Sequence, residues 1–560
     1  MQRCYAILDF FLFTIFFCQL VSPAFSQTAT LTRDLEPVVV PGSELSAFAG
    51  APIAPENNEL YLYAYDQDLR EWKQIPFQFD EIGTRGDTVF SYFLPDDGLL
   101  DGNDELVFMA KDGGDQAANS DWIADEASRA NERIEITITD PLSPAEMARV
   151  YLYRSATLTV AADLADYVES VPTTGLLGED RVRTDFYEIA HSNSGFPVDL
   201  VITPEAGGNG QDLLDTFKLR AQLKVSLLPF PIDVTEALIK LLSEEKDEVR
   251  IIDGRVRVIR QLDASIQLIV TESFVMPPFF YYPYSYVFDI NIPDISDLDP
   301  NAEILSARLS VDLNENAANM KFVSANNPEP GVTVDGVADA VDHTVDNVLP
   351  DNDWSYIGGP QGTIVHLFPL ETTVGGARQL YYKDDASQED SRDTGDKRSY
   401  GDTGIEVSGS IVPPVIFSYR GYFLSSAFDS NIGPRIAEFE RMPLDSALSF
   451  EAQTFEEPTS VADGTEVPGT FELAQNFPNP FNPATEIRYQ ISERRRTVLT
   501  IYSILGERVR TLVDEVQPAG TYSVTWDGTD TSGQKVTSGI YLYRLQSGDL
   551  VASRKLILVK

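Results

Sequence analysis

Short runs in which apolar and polar residues alternate recur along most of the chain. In such a run every second side chain faces the same side of a β-strand, so the alternation predicts half-buried strands. The clearest runs before residue 456 are residues 60–65, 133–139, 149–153, 255–260, 266–271 and 415–419. The pattern contains no βαβ alternation and no glycine-rich turn between a strand and a helix, which disfavours a doubly wound nucleotide-binding sheet. We therefore expect a mostly β protein whose body, residues 27–455, is of the β-sandwich type.

One helix is predicted within this body. Asp233 and Glu236 have the spacing of a capping box, and apolar residues follow at helical spacing up to the charged segment 243–248. Because the body is longer than one ordinary sandwich, we expect either one large two-sheet domain or two β domains that meet near residues 175–180. A polar segment with proline and glycine, residues 456–470, is expected to be a linker.

Residues 471–560 are predicted to form a second, smaller β domain. Pro478, Pro480 and Pro483 have no backbone donor and favour an extended lead-in. Strand-like runs and glycine-containing turns then alternate, the runs being residues 487–491, 499–501, 522–526 and 539–543. Several short strands with turns between them and no helical periodicity indicate a small β-sandwich.

Five short motifs of this domain occur in the order found in a known family. They are residues 476–483 (NFPNPFNP), 501–506 (IYSILG), 518–522 (PAGTY), 526–528 (WDG) and 538–541 (SGIY). By these motifs the domain resembles the type A C-terminal sorting domain of the type IX secretion system of Bacteroidetes-like bacteria. The matching positions include Asn476, Pro478, Asn479, Pro480, Phe481, Pro483, Gly506, Gly520, Trp526, Gly539 and Tyr541.

This resemblance implies an immunoglobulin-like sandwich that an outer-membrane translocon reads as an export signal. It also implies that a sortase removes the domain after export, and that the cargo is then released or attached to surface lipopolysaccharide. The alternative interpretation is an ordinary immunoglobulin-like adhesion module at the end of the chain. The body segments 72–81 and 96–108 resemble the opening of other secreted bacterial proteins, and this second resemblance implies no particular activity.

The start of the chain has the three parts of a secretory signal peptide. Arg3 supplies a basic end, an apolar segment follows, and small residues near position 26 predict cleavage between Ser26 and Gln27. Residues 1–26 are therefore expected to be removed during export. The alternative is an uncleaved anchor helix over residues 5–22, a length close to that needed to span a bilayer.

The chain is strongly acidic, with 87 acidic and 42 basic residues and a formal net charge of −45. This excess disfavours nucleic acid and anionic membrane surfaces as partners. It also supplies oxygen ligands for calcium, although a well-solvated surface explains the charge without any ion. Both cysteines, Cys4 and Cys18, lie in the predicted signal peptide, so the mature chain would contain no disulfide and no cysteine-based metal site.

An acidic loop that precedes a β-rich run at residues 106–109 is a candidate calcium site. Its candidate ligands are Asp97, Asp101, Asn103, Asp104 and Glu105. Calcium binds several oxygen atoms on a tightly turning backbone, but the match to an EF-hand is only partial. The alternative is a turn whose Asp and Asn side chains cap their own backbone. A second acidic loop, residues 384–402, is expected to be a solvated excursion, with calcium binding as its alternative.

A cluster of aromatic residues and prolines at residues 274–288 is a candidate contact surface for glycans. Tyr281, Tyr282, Tyr284 and Tyr286 would stack on sugar rings if their side chains were exposed. The alternatives are that the rings fill the core between two sheets or form a protein interface.

Enzyme motifs are mostly absent from the sequence. His191, His343 and His366 are isolated, and neither an H-E-x-x-H nor a G-x-S-x-G motif occurs. Carboxylate pairs of the glycosidase type cannot be recognised in so acidic a sequence. We therefore expect a secreted or cell-surface protein, exported by the type IX system, whose body has a binding or structural role. The alternative is a protein that binds or degrades extracellular polysaccharide.

Overall fold

A computed structural model of the protein describes residues 28–85, 89–172, 180–192, 197–224, 230–235, 249–264, 267–268, 270–271, 274–275, 278–292, 301, 303–341, 354–369, 377–392, 395–411, 415–426, 431–457, 472–474, 476, 479, 481, 484–491, 495–503, 508–517, 520–531, 534–537, 539–548 and 550–558. The chain divides into two compact units, Met1–Glu456 and Glu457–Lys560. The predicted signal peptide with Ser26 and Gln27, His343, and the motif residues Pro478, Pro480, Pro483 and Gly506 lie outside the described residues.

The first unit is built from antiparallel strands. In chain order they are β1 Pro37–Pro41, β2 Leu60–Asp66, β3 Glu71–Gln74, β4 Phe77–Asp80, β5 Gly83–Arg85, β6 Val89–Ser91, β7 Glu105–Met109, β8 Arg133–Asp140, β9 Ser143–Arg154, β10 Val168–Val171, β11 Asp180–Thr184, β12 Tyr187–His191, β13 Pro197–Ile202, β14 Leu214–Lys224, β15 Ile232–Thr235 and β16 Val249–Asp253. They continue with β17 Val258–Ala264, β18 Gln267–Leu268, β19 Val270–Thr271, β20 Phe274–Val275, β21 Phe279–Tyr281, β22 Ser285–Ile292, β23 Glu303–Leu313, β24 Lys321–Ser324, β25 Val332–Thr333, β26 Trp354–Gly359, β27 Gly362–Leu367, β28 Ala377–Lys383, β29 Tyr400–Ile411, β30 Val415–Leu424 and β31 Leu448–Gln453.

Helical segments are short in the described ranges. The α-helix α1 spans Ile432–Arg441, and 3-10 turns occupy Gly42–Phe48, Ala110–Asp112, Ala127–Ala130, Glu315–Ala317 and Leu444–Ala447. None of the helices in these ranges has the length and hydropathy that a membrane span requires.

Two sheets dominate the larger half of the first unit. One has five strands in the order β15-β14-β23-β29-β28, and the other has ten, ordered β16-β17-β21-β22-β30-β27-β26-β24-β25 with β20 attached to β17. The four-stranded sheet β10-β11-β12-β13 contributes to the same hydrophobic core. The N-terminal part contains the sheets β1-β7-β4 and β3-β2-β9-β8-β31 around a second core.

The end of the first unit returns to its beginning. Strand β31 pairs with β8, so residues separated by more than three hundred positions share one sheet. The buried Arg33 side chain donates hydrogen bonds to the carbonyl oxygens of Phe439 and Met442 at the end of α1, over 3.0 and 2.9 Å. These contacts tie both ends of the unit together.

The predicted helix at residues 233–248 is wrong at its start. Asp233 lies in β15 instead, opposite Gln222 of β14, and the ladder hydrogen bonds to β14 replace the helical turn. Residues 236–248 lie outside the described residues. The run at residues 255–260 begins its strand only at Val258, while the run at residues 266–271 contains two short strands, β18 and β19.

The second unit is an immunoglobulin-like β domain. Its strands are β32 Glu472–Leu473, β33 Thr485–Ile491, β34 Arg495–Ser503, β35 Arg508–Gln517, β36 Gly520–Trp526, β37 Gly539–Ser547 and β38 Leu550–Leu558. They form two sheets, β32-β33-β36 and β35-β34-β37-β38, whose apolar residues share one core. The prediction of a mostly β chain with a small immunoglobulin-like sandwich at its C-terminal end is confirmed.

Candidate functional site

The five-stranded sheet has one apolar and one polar face. Alternate residues of its central strands, such as Leu309 and Ile405, point into the main core. The residues between them point to the opposite face and are polar: Thr216, Lys218, Arg220, Arg308, Ser310, Asp312, Asp402 and Glu406. Unlike the outer face of an ordinary sandwich, this face includes charged groups that are shielded from water.

Lys218 is the centre of this polar face. Its Nζ lies 2.6 Å from Asp312 Oδ2 and 3.3 Å from Asp402 Oδ2, and these three side chains are at most 1% exposed. Nζ also donates a hydrogen bond to the carbonyl oxygen of Arg398 over 3.0 Å. The other oxygen of Asp312, Oδ1, accepts a 2.9 Å hydrogen bond from the backbone N–H of Tyr400.

Small residues make room for the lysine side chain. In the strand register Lys218 of β14 lies opposite Ser310 of β23, which in turn lies opposite Gly404 of β29. A Cβ atom at Gly404 would lie only 2.1 Å from the carbonyl oxygen of Leu309, so glycine is required there. The Lys218 side chain can therefore extend across the sheet to the carboxyl groups of Asp312 and Asp402.

The pKa values of the three buried side chains are shifted in different directions. Burial and the neighbouring Asp402 raise the pKa of Asp312 well above its usual range. Burial alone would raise the pKa of Asp402 as well, but the ammonium of Lys218 lowers it below the usual value. Burial opposes the charge on Lys218, yet Asp402 and Asp312 raise the pKa of Lys218 above its ordinary value. These opposite shifts favour the protonated form of Asp312 and the charged forms of Asp402 and Lys218.

The loop at residues 384–402 lies over this polar face, and most of its described residues between 387 and 398 are exposed, as expected for a solvated excursion. The buried carboxylate of Asp384 accepts hydrogen bonds of 2.8 to 3.1 Å from the backbone N–H groups of Asp335, Gly336 and Gly401. Asp390 forms a 2.9 Å ion pair with Arg220 on the sheet. Asp384 and Asp390 therefore fix backbone N–H groups and an arginine of the sheet, while the Glu389 side chain is 67% exposed.

Carboxyl oxygens of Asp215, Asp312 and Asp396 lie within 4.8 Å of one another. A cation would find suitable ligand atoms there, but the ammonium of Lys218 already supplies positive charge to Asp312. Asp215 Oδ1 is also used, since it accepts a 2.9 Å hydrogen bond from the backbone N–H of Asp396. We therefore assign no metal ion to this cluster.

A polar cavity of about 170 Å³ lies on the same sheet face. Its charged lining residues are Arg220, Arg308, Arg392, Asp233 and Glu406. The adjacent Asp390 pairs with both Arg220 and Arg392, so the charges of the lining nearly balance. The cavity has room for a small polar group and no strong preference for an anion or a cation.

The predicted calcium ligands form a turn that caps its own backbone. Asp104, which is fully buried, accepts hydrogen bonds from the N–H groups of Ile82 and Asp101 over 3.0 and 2.7 Å. Asp97 and Asp101 accept from the N–H groups two positions later, while Glu105 pairs with Arg257 and Asn103 donates to the Ile82 carbonyl oxygen. This arrangement matches the turn alternative. Among the described residues, the carboxylates that approach closely enough to share a cation are those beside Lys218, not those of this loop.

The four candidate glycan-binding tyrosines are buried. Tyr281 and Tyr286 are 1% exposed and lie in the main core, while Tyr282 and Tyr284 are 8% exposed. Their faces pack on protein groups; the rings of Tyr281 and Tyr286, for example, are stacked with centroids 4.7 Å apart. Rings that are buried in this way cannot form an exposed platform for sugars, so this hypothesis is wrong and the core interpretation applies.

The two described histidines are core residues. His191 Nε2 lies 2.6 Å from Tyr281 Oη, and His366 Nδ1 lies 3.1 Å from Tyr419 Oη. Burial lowers the pKa of His191 to about 4 and that of His366 to about 3, so both rings are neutral at pH 7.

In the second unit, the described motif residues hold the lead-in against the last strands. The Asn476 side chain donates to Thr485 Oγ1 over 2.9 Å, and its backbone N–H donates to Tyr543 Oη over 2.9 Å. Asn479 Oδ1 accepts from the N–H of Ile557, and the Phe481 N–H donates to the carbonyl oxygen of the same residue. The lead-in is thereby fixed beside β38.

The aromatic motif residues form the centre of the same core. Trp526 is fully buried, and its ring contacts Phe481 and Tyr541 at centroid distances of 5.6 and 5.3 Å. Gly520 and Gly539 begin the strands β36 and β37. These positions maintain the sandwich and its extended lead-in.

The sequence reasoning did not identify Lys218, Asp312 or Asp402. A usable signal was present, because Lys218 and Asp312 each lie between apolar residues in segments with strand periodicity, residues 217–221 and 309–313. Which sheet face is covered by a loop is not encoded in that periodicity.

Comparison with known protein families finds a match within the C-terminal domain. Residues 484–549 match a protein-family model described as the FlgD Ig-like domain. No curated protein matches the chain significantly.

Several solved structures align with the chain at low similarity. Dimeric latent PorU from Porphyromonas gingivalis aligns with 12% identity and a TM-score of 0.15 over 73% of this chain and 35% of PorU. PorZ, a surface component of the type IX secretion system of the same organism, aligns with 10% identity and a TM-score of 0.13 over 74% of this chain and 63% of PorZ. The chain thus spans less than two thirds of either structure, and TM-scores of this size do not establish a shared fold.

Proposed function

We propose that residues 471–560 are a type IX export signal and that the body is the secreted or cell-surface cargo, with a binding or structural role. The observation that carries the proposal is the order of the motifs between residues 476 and 541, on a domain that matches an immunoglobulin-like family over residues 484–549. The separation of Glu457–Lys560 as a compact unit is consistent with a removable signal. The partners of this domain would be the translocon and the sortase, and surface lipopolysaccharide would be a further partner if the cargo is anchored.

The lead-in is the part of this domain that we expect the translocon to read. Asn479 accepts one hydrogen bond from the Ile557 N–H and is half-buried, so its side chain is accessible beside β38. The buried Trp526, in contrast, maintains the fold.

Burial of the candidate tyrosines weakens the polysaccharide alternative. Its proposed sugar-binding platform consisted of four tyrosine residues that are 1% to 8% exposed. For the body we therefore favour a binding or structural role that does not use these rings.

Export in a bacterium with an active type IX system tests the proposal. The full chain should reach the cell surface or the medium, while a chain without residues 471–560 should accumulate in the periplasm. Asn479→Ala should also reduce delivery. Its matched control is Asp530→Ala, which removes a comparable side-chain hydrogen bond to a backbone N–H, that of Gln534, outside the quoted motifs. Normal surface delivery of the truncated chain would refute the sorting role.

A further inference from the structure

The buried contact between Lys218 and Asp312 joins an amine and a carboxyl group that can condense. Nζ and Oδ2 lie 2.6 Å apart, and both side chains are 0% exposed. The two residues lie on adjacent strands, two positions apart in the register and on the same sheet face, so the sheet holds the groups together. Because the fold already holds the two groups together, their reaction avoids the entropy loss of a bimolecular encounter.

The protons in the cluster are distributed as a condensation needs them. Burial and the neighbouring Asp402 raise the pKa of Asp312, which favours the protonated, electrophilic form of this carboxyl group. Asp402 keeps its negative charge, and its Oδ2 lies 3.3 Å from Nζ. One proton transfer from Nζ to Asp402 produces the neutral amine that can attack; the ion pair opposes this transfer, and burial lowers its cost because it disfavours both charges.

We propose that Lys218 and Asp312 form an intramolecular isopeptide bond, with Asp402 as the acid–base group. Nζ first gives a proton to Asp402 and then attacks Cγ of Asp312. The nitrogen loses a second proton while the Asp312 hydroxyl gains one and leaves as water; Asp402 relays this proton and ends the reaction protonated. The Nζ–Cγ bond forms, the bond from Cγ to one carboxyl oxygen breaks, and no other reactant is needed.

The backbone assists this step at one atom. The N–H of Tyr400 donates a 2.9 Å hydrogen bond to Asp312 Oδ1, the oxygen on which negative charge develops when Cγ is attacked. A fixed donor of this kind stabilises a tetrahedral intermediate. The loop that leads into β29 at Tyr400 also lies over the cluster, whose three side chains are at most 1% exposed, so the access of water is limited.

The bond would join β14 covalently to β23. The cysteines of the chain are at positions 4 and 18, so no disulfide can cross-link the body to itself. An amide between two strands is a covalent brace that does not depend on the redox state of the surroundings.

Mass spectrometry of the purified, denatured full chain tests the proposal. The mass should be lower than the sequence mass by one water, and trypsin should release residues 184–220 joined to residues 309–321, with no cleavage after Lys218. The branched peptide is the decisive product, because dehydration at an Asp–Gly pair also removes water but leaves peptides linear. Complete cleavage after Lys218 together with a linear peptide 309–321 would overturn the proposal.

Two comparisons sharpen this test. Asp402→Asn preserves the size of the side chain but cannot accept the proton, so most of the variant should stay unlinked; full cross-linking of this variant would exclude the assigned role of Asp402. Lys224 and Glu303 provide an internal control on the same two strands, since their side chains contact at 3.0 Å but are 54% and 59% exposed. The peptides of this exposed pair should be linear, and a cross-link there would contradict the requirement for burial.

Discussion

Asp104→Ala should distinguish the capped turn from a calcium site. The Asp104 carboxylate accepts hydrogen bonds from the backbone N–H groups of Ile82 and Asp101 and is fully buried. The substitution leaves both donors without this acceptor. Because Ile82 is itself buried, its N–H cannot be satisfied by bulk water without rearrangement.

The expected loss follows from these two hydrogen bonds. A net contribution of about 1 to 1.5 kcal/mol each gives a destabilisation of about 2 to 3 kcal/mol. With an unfolding entropy of about 2.1 cal/mol/K per residue over roughly 430 residues, this corresponds to a decrease in melting temperature of about 2 to 3 °C. Asp97→Ala is the matched control, because Asp97 is exposed and caps only the N–H of Leu99, so its cost should be within about 0.5 kcal/mol.

Thermal denaturation of the three proteins, with and without a chelator, is the measurement. The capped turn predicts that Asp104→Ala lowers the melting temperature more than Asp97→Ala does. It also predicts that EDTA leaves the melting temperature of the wild-type chain unchanged. A calcium site predicts instead that EDTA lowers the melting temperature and that Asp97→Ala is as harmful as Asp104→Ala. That second pattern would refute the turn interpretation.

The remaining predictions concern other buried acids. Burial raises the pKa of Glu36 to about 7, above its ordinary 4.5. The folded state therefore holds this proton more tightly, and the stabilisation is complete below about pH 4.5 and lost as the pH rises through 7; at about 1.4 kcal/mol per pKa unit it amounts to about 3 kcal/mol. Glu36→Gln should remove this part of the pH dependence between pH 5 and 8 in urea denaturation, while the exposed Glu44→Gln should keep it; equal profiles for both variants would contradict the assignment. Asp384→Ala should speed amide hydrogen exchange at residues 335–336 and 401 about tenfold, at a cost of about 1 to 1.5 kcal/mol per hydrogen bond. Its neighbour Asp385 accepts a hydrogen bond from the backbone N–H of Ser387 instead, so Asp385→Ala should leave those amides protected; unchanged exchange in Asp384→Ala would show that the carboxylate does not hold them.

Strands were predictable where the alternation of apolar and polar residues is regular. The predicted runs at residues 60–65, 133–139 and 487–491 lie within β2, β8 and β33, because one face of each strand packs on a core. The capping-box spacing at Asp233 was misleading, since pairing of β15 with β14 outweighed a local helical preference.

Candidate sites were predictable only as sets of alternatives. The sequence around Tyr281 and Tyr286 is compatible with exposed rings and with buried rings. Only the packing of the two large sheets shows that they are buried. Asp104 is likewise a suitable calcium ligand by residue type, but its oxygen atoms are already occupied by backbone N–H groups.

By itself, the sequence determined the β class of the chain, its acidic character and the motif-bearing C-terminal domain, because these depend on local periodicity, composition and spacing. The tertiary structure alone decided which polar groups are buried together. Lys218, Asp312 and Asp402 are far apart along the chain, and they meet only because the register of β14, β23 and β29 aligns them under a covering loop. Such a meeting depends on long-range strand pairing, which no local pattern of residues specifies.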